Sequence, residues 1–382
     1  MVEDAKPVVA ELIDPSVIFA KTLRSFFAPV QQYLDDPSVV EVMINGPEEV
    51  YIEQRGQLIR TEARFSGEDA LVAGIRNLLQ FVGKRLTDDQ PMIDARMPDG
   101  SRVHVAMPPC SRKGPCITIR KFKKEGFDFD YMVQCGTISQ MALDYLRINI
   151  LCEKNLVFAG GTSSGKTTLL NTLGNFIPAH ERIVVIEESS ELQLKLPHVL
   201  QLETRGPDRY GRGEVTIRDL FRNSLRMRPD RIIVGEVRGG EALDLIQALT
   251  SGHGGSMSTM HADTPIDALN RIETMALMSD VAIPLNALRT QIASSIDIVV
   301  QMARFRDASR RVVQISEVLP LDENYRYRLE DVFVMKLPEG SRKLEEGTLQ
   351  WTGYRPALMD EVQGRMMAQE TESLAPLFAD KH

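Results

Sequence analysis

The segment Gly160-Gly161-Thr162-Ser163-Ser164-Gly165-Lys166-Thr167 decides the reading of this 382-residue chain. It matches GxxxxGK[ST] in full. The apolar run Leu156 to Ala159 precedes it and Thr168-Leu169-Leu170-Asn171 follows, so its context is strand, loop, helix. Glycines let backbone N–H groups close around phosphate, and a helix N-terminus adds a favourable dipole. Lys166 is expected to reach the β and γ phosphates, and the Thr167 hydroxyl to ligate Mg²⁺. Gly160 through Thr168 are therefore the candidate nucleotide contacts, with ATP and Mg²⁺ as the expected ligands.

Outward from this loop, short apolar strands alternate with amphipathic helices from Asn155 onward, the pattern of an α/β domain with a mainly parallel sheet. Thr216 with Asp219 starts one helix as a capping box, and Thr264-Pro265-Ile266-Asp267 starts another with a proline at its first position. Asp297 to Met302 and Arg311 to Val318 read as strands or a hairpin. Two acidic groups follow apolar strands: Glu236 after Arg231 to Val234, and Glu187-Glu188 with Glu191 after Ile183 to Ile186. Acids at the carboxyl ends of strands sit where α/β folds bind ligands. Glu236 is the first candidate for orienting water or holding Mg²⁺; Glu191 reads equally well as the acid of a helix start. His253 and His261 stand in a Gly/Ser-rich segment; a solitary histidine is more often structural than catalytic, and the pair has no third close ligand for a metal. Arg218, Arg222 and Arg226 make a basic stripe that is either a solvated face or an interface.

Before the loop the chain reads as a separate α+β domain. A helical stretch, Leu12 to Leu34, leads to a hairpin of Val39 to Ile44 and Val50 to Glu53 turning at Asn45-Gly46-Pro47. A helix over roughly Gly67 to Val82 and extended runs around Arg102 to Ala106 and Cys116 to Phe122 complete it. The expected division is residues 1–36 as a helical segment, 37–122 as the α+β domain, 123–135 as a linker rich in charge and aromatics, and 136–382 as the ATPase domain with its extension. The tail after Arg342 gives no clear pattern.

Hydrophobic residues make up 43% and charged residues 26%, a soluble globular profile. No run approaches the roughly 20 apolar residues of a membrane helix, and Glu3 and Asp4 do not suit a signal peptide, so a cytoplasmic protein is expected. Cys110, Cys116, Cys135 and Cys152 lack CxxC spacing and read as reduced thiols. A net charge of −8 argues against general binding of nucleic acid.

Several motifs together resemble the secretion-ATPase superfamily of type II and type IV secretion and type IV pilus motors, most closely the tight-adherence (Tad/Flp, CpaF-like) pilus-assembly ATPases. They are the phosphate loop, Val185-Ile186-Glu187-Glu188 with Glu191-Leu192-Gln193-Leu194, Leu225 to Arg231 running into Gly235-Glu236-Val237-Arg238, and Gly252 to His261. Pro91 to Arg96 with Asp99-Gly100-Ser101-Arg102 completes the set. Glu188 departs from the aspartate of many relatives. The resemblance implies a RecA-like P-loop ATPase domain after a smaller N-terminal α+β domain that closes over nucleotide. It implies that Glu187 belongs to an acidic box, that Glu236 activates water, and that His253 and His261 form a histidine box. Thr167, Glu187 and Glu236 would hold Mg²⁺ directly or through water. Arg96, Arg102 and Arg120 become candidates for neutralising phosphate charge, for which an arginine fork is suited. It further implies a homohexamer at the inner membrane, acting through platform proteins on pilin. An ATP-gated scaffold with little turnover and a conjugation or DNA-transfer ATPase are the other readings of the same site.

Overall fold

The computed structural model describes residues 24–54, 56–97, 99–122, 129–208, 210–338, 346–357 and 374. The helix expected before Arg24, part of the linker and most of the tail lie outside them. The chain divides into two compact units, Met1–Lys124 and Glu125–His382.

The first unit is built from a short helix α1 (Gln31–Asp35), strands β1 (Val39–Asn45), β2 (Val50–Gln54) and β3 (Gln57–Arg60), helix α2 (Glu68–Phe81), and strands β4 (Met92–Arg96), β5 (Arg102–Ala106) and β6 (Cys116–Arg120). The strands form one antiparallel sheet in the order β3-β2-β1-β6-β5-β4. Alternate strand residues face α2. Leu71, Ile75, Leu78 and Leu79 of the helix bury against Val42, Ile44, Val103, Val105, Ile117 and Ile119. The hairpin, the α2 helix and the two later strands lie where the periodicity puts them. Residues 24–36 do not stand apart: Phe27 and Val30 are fully buried in this same core. β3 has no counterpart in the sequence reading because all four of its residues are exposed, which removes the alternation that marks a half-buried strand.

The second unit begins with α3 (Phe129–Gln134), inside the segment expected to be linker. Its charged and aromatic composition suggests a tether, yet Phe129 stacks on Phe176 with ring centroids 4.1 Å apart and Met132 is buried in the core. Burial of those side chains makes the segment part of the fold. There follow α4 (Gln140–Leu151), β7 (Leu156–Gly160), α5 (Lys166–Leu173), β8 (Ile183–Glu187), β9 (Val199–Glu203), α6 (Ile217–Ser224), β10 (Arg231–Val234), α7 (Glu241–Thr250) and β11 (Met257–Met260). The unit continues with α8 (Pro265–Leu277), α9 (Leu285–Ser295), β12 (Ile298–Arg304), β13 (Arg310–Leu319), β14 (Arg328–Lys336) and β15 (Thr348–Trp351).

Nine strands form one sheet, β15-β14-β13-β12-β7-β11-β10-β8-β9. The six from β12 to β9 are parallel, and β13, β14 and β15 extend the sheet antiparallel. Every residue of β7, β8, β10 and β11 is buried, as expected when helices cover both faces. Leu156, Phe158, Val185 and Ile233 point to a cluster with α4 and α5; Val157, Val184, Ile232 and Val234 point to another with α6 to α9. Both helix starts read from the sequence are present. Thr216 and Asp219 complete a reciprocal capping box, and the Thr264 hydroxyl accepts the Asp267 N–H ahead of Pro265.

Candidate active site

Because β7, β8, β10 and β11 are parallel, whatever follows each strand emerges along one edge of the sheet. That edge carries the loop from Gly160, then His261 after β11, Glu236 after β10, and Glu187 and Glu188 at the end of β8. The loop's glycines answer to space. A Cβ on Gly160 would lie 2.4 Å from the Met302 carbonyl oxygen of the neighbouring strand β12. Ser163 at φ +57° and Gly165 at φ +96° take left-handed conformations that turn the chain into the start of α5.

Lys166 is buried along this turn, and its Nζ donates to the carbonyl oxygens of Gly160 (2.9 Å) and Gly161 (2.8 Å). Burial pulls its pKa below the ordinary lysine value, against the opposing pull of the Glu236 charge. Glu236 Oε1 lies 3.2 Å from His261 Nε2, and its Oε2 accepts from Arg238 Nη2 at 2.7 Å. Partial burial pushes the Glu236 carboxyl up, but the hydrogen bond and charge of Arg238, with His261 and Lys166 behind them, hold it below the usual glutamate value. His261 is shifted down, first by burial and then by the Lys166 charge, so its neutral form prevails at pH 7. A neutral ring can donate its Nε2–H to the Glu236 carboxylate.

Glu187 is buried, and its Oε1 accepts the backbone N–H groups of Glu191 (2.9 Å) and Leu192 (3.1 Å). It therefore shapes the irregular segment after β8, where the sequence allowed a helix start and none forms. The same segment is tied to α5 through Asn171, whose Oδ1 accepts the Gln193 N–H at 2.6 Å. Gly235 lets Glu187 approach: a Cβ there would sit 2.8 Å from Glu187 Cγ.

Of the two histidines the structure brings only His261 to this edge. His253 precedes β11 and therefore lies at its other end, where neighbouring Gly254 approaches the Glu153 carbonyl ahead of β7. The pairing of His253 and His261 in one box does not hold within this unit, because a strand runs between them. In the basic stripe, Arg218 and Arg222 donate from Nε to the two oxygens of Asp244 on α7, at 2.7 and 2.8 Å. Arg222 is still 54% exposed and Arg226 is exposed.

In the first unit, Arg96 pairs with Arg102 across β4 and β5, and Arg102 with Arg120 across β5 and β6. Directly paired residues share a face, so the three arginines form a row across the sheet, opposite the face buried on α2. Like charges in direct opposition destabilise a sheet. The row continues to Glu41 on β1, paired with Arg120; burial pushes the Glu41 carboxyl up while the Arg120 charge draws it down.

Backbone N–H groups at a helix start, the Lys166 ammonium, the Thr167 hydroxyl and the carboxylates of Glu187 and Glu236 form a donor set that fits a triphosphate with a hard, oxygen-liganded divalent cation. An open groove of about 600 Å³ adjoins it, lined by Gly160, Thr162, Arg238, His261, Asp263 and Arg271. On the other side of the loop a hollow of about 160 Å³ is lined by Tyr131, Cys135, Thr137, Thr168, Leu169 and Met302.

The sequence profile described as type II/IV secretion system protein matches residues 25–343. The chain belongs to that family. This secretion-family protein is 32% identical to a putative conjugal transfer protein of Mycobacterium tuberculosis, over 75% of its own length and 83% of that protein. It is 34% identical to a type IV secretion system PtlH homologue of Bordetella bronchiseptica, over 74% and 91%. Its fold is shared with the Legionella pneumophila ATPase DotB, at a TM-score of 0.54 and 18% identity, over 84% of each chain. Among the described residues no helix is long and apolar enough to cross a membrane.

Arg238 is the site residue to which the sequence reading gave no role. Its guanidinium joins Glu236 to Glu188, and the signal was a cation two residues past the carboxylate that ends the β10 run.

Proposed function

We propose that this chain hydrolyses ATP and works as a hexameric motor of a secretion or type IV pilus machine, of the tight-adherence type that its motifs resemble. The observation that carries this reading is the meeting of the phosphate loop, Lys166, Glu236 and His261 at one end of a parallel sheet. Backbone N–H groups from Gly161 to Thr168 cradle the phosphates and Lys166 neutralises their charge. Bound Mg²⁺, held by Thr167 and, directly or through water, by Glu187 and Glu236, supplies further positive charge at the phosphate oxygens.

The Glu236 carboxylate orients a water and accepts its proton as the water oxygen bonds to the terminal phosphorus. The bond from that phosphorus to the bridging oxygen breaks, and ADP, inorganic phosphate and a proton are the products. His261, with Nε2 3.2 Å from Oε1, flanks the carboxylate. The family resemblance gives Arg96, Arg102 and Arg120 the role of adding charge for the phosphates. His253 takes no part in this scheme. The hollow beside Thr168 and Leu169 suits the nucleobase, with Tyr131 as its aromatic wall.

As a motor without a membrane helix among its described residues, the chain would transmit force through platform proteins at the inner membrane, and only indirectly to pilin. A second reading is favoured by the conjugal transfer relative: the same hydrolysis would serve a DNA-transfer machine.

The test is steady-state turnover of wild type and Glu236→Gln, with mass measured by light scattering with and without ATP. A hexamer whose turnover falls at least a hundredfold in the variant, while ATP binding persists, is the expected result. Nucleotide binding without turnover in either protein would refute the motor and leave an ATP-gated scaffold. Stimulation of turnover by DNA rather than by platform protein would select the second reading.

A further inference from the structure

The groups around Glu236 leave one side chain with an unexplained arrangement. Arg238 Nη2 is 2.7 Å from Glu236 Oε2, and Nη1 is hydrogen-bonded to Glu188 Oε2, so one guanidinium holds acids from the ends of two different strands. Its backbone is fixed: the N–H groups of Arg238 and Gly239 both donate to Glu241 Oε1, at 2.7 and 2.8 Å. Its side chain is 57% exposed and lines the groove beside Gly160 and Thr162. Arg238 donates to Oε2 and His261 Nε2 lies 3.2 Å from Oε1, so each oxygen of Glu236 has a nitrogen neighbour. A water that is to hydrogen-bond to Glu236 must find an oxygen that these neighbours leave open.

We propose that Arg238 is a transferable clamp: it holds Glu236 and Glu188 until a terminal phosphate takes its guanidinium, which frees a Glu236 oxygen for water. This inference rests on the hydrolytic reading above. A γ-phosphate offers the guanidinium a more highly charged, fork-matching acceptor than two carboxylates, one of which is 61% exposed. ADP lacks that group, so in the ADP-bound chain Arg238 stays on the acids. The clamp thus makes the access of water to Glu236 Oε2 conditional on a seated triphosphate. Lys166 on α5 and His261 after β11 are the other charged or titratable groups that face Glu236, and neither exchanges partners in this scheme; Glu187 lies behind Gly235.

The experiment measures ATP and ADP affinity separately, by titration with fluorescent analogues of each, alongside single-turnover hydrolysis. The proteins are full-length wild type, Arg238→Gln, Arg238→Lys and Glu188→Gln. For Arg238→Gln the affinity for ATP should fall about tenfold or more, the loss of one charged hydrogen-bonded pair, while that for ADP changes less than twofold. Arg238→Lys restores part of the ATP preference, and Glu188→Gln, which loosens the clamp, tightens ATP binding and leaves ADP unchanged. Equal weakening of ATP and ADP would make Arg238 a static brace and overturn the proposal. So would weaker ATP binding in Glu188→Gln. If wild type shows no turnover, the hydrolytic reading fails, and the ATP-to-ADP affinity ratio still decides whether Arg238 follows the terminal phosphate.

Discussion

Replacing Glu181 by alanine should destabilise the second unit far more than loss of an ordinary surface ion pair. Arg231, the first residue of β10, is 1% exposed, and its guanidinium meets Glu181 through Nε–Oε2 at 2.5 Å and Nη2–Oε1 at 3.1 Å. Its third contact is the Gly255 carbonyl oxygen, 3.3 Å from Nη1. Gly255 has no room for a side chain there, since a Cβ would lie 1.6 Å from Nη1. Removing Glu181 leaves a buried guanidinium with one carbonyl for company. Breaking a buried pair from one side costs about 3–5 kcal/mol, against at most about 1 kcal/mol for an exposed pair. At about 2–4 °C per kcal/mol for a unit of this size, the midpoint should drop by roughly 6–20 °C. Removing both charges tests the cause: Glu181→Leu with Arg231→Met should recover most of the loss, because no uncompensated charge remains. Trp351, the only tryptophan, lies on β15 of the same sheet, so its fluorescence follows this unit and not the first. Urea unfolding of the three proteins gives the answer. A cost below about 1 kcal/mol for Glu181→Ala, or a double variant no better than the single, would refute the reasoning.

Two further outcomes follow from the same coordinates. Cys135 is exposed and lines the hollow assigned to the nucleobase, so saturating ATP or ADP should slow its alkylation at least severalfold relative to the exposed Cys110, read by peptide mass spectrometry; equal rates would move the base elsewhere. Thr264→Ala removes the hydroxyl that accepts the Asp267 N–H at 3.2 Å at the start of α8, and should cost about 1 kcal/mol in Trp351-detected urea unfolding; no loss would mean that Pro265 alone fixes this helix start.

What was legible in the sequence is what local chemistry dictates. The phosphate loop could be read because its glycines meet constraints within a few residues, the left-handed turn into α5 above all. The buried parallel strands could be read because residues covered on both faces are apolar without interruption. Edge strand β3 and helix α3 were hidden for opposite reasons: one buries nothing, and the other buries aromatics in a segment whose composition suggests solvent. The arginine row needed the register of three strands to become a row. Neither the Arg238–Glu188 pair nor the Arg231–Glu181 pair, each separated by 50 residues, is visible before the sheet order is known.

His253 and His261 show most clearly how topology decides function. They stand eight positions apart in sequence, close enough to read as one site, but β11 occupies four of the intervening positions and carries the chain from one edge of the sheet to the other. β10 makes the same traverse: Arg231 is locked to Glu181 and Gly255 at the amino edge, and Glu236 emerges at the carboxyl edge. A strand this short transmits placement from one end to the other, since a shift of one residue against β8 or β11 would turn every buried side chain to the wrong face. The buried ion pair ties the amino end of β10 to Glu181 and Gly255 in the register that delivers the Glu236 carboxylate beside Lys166 and His261.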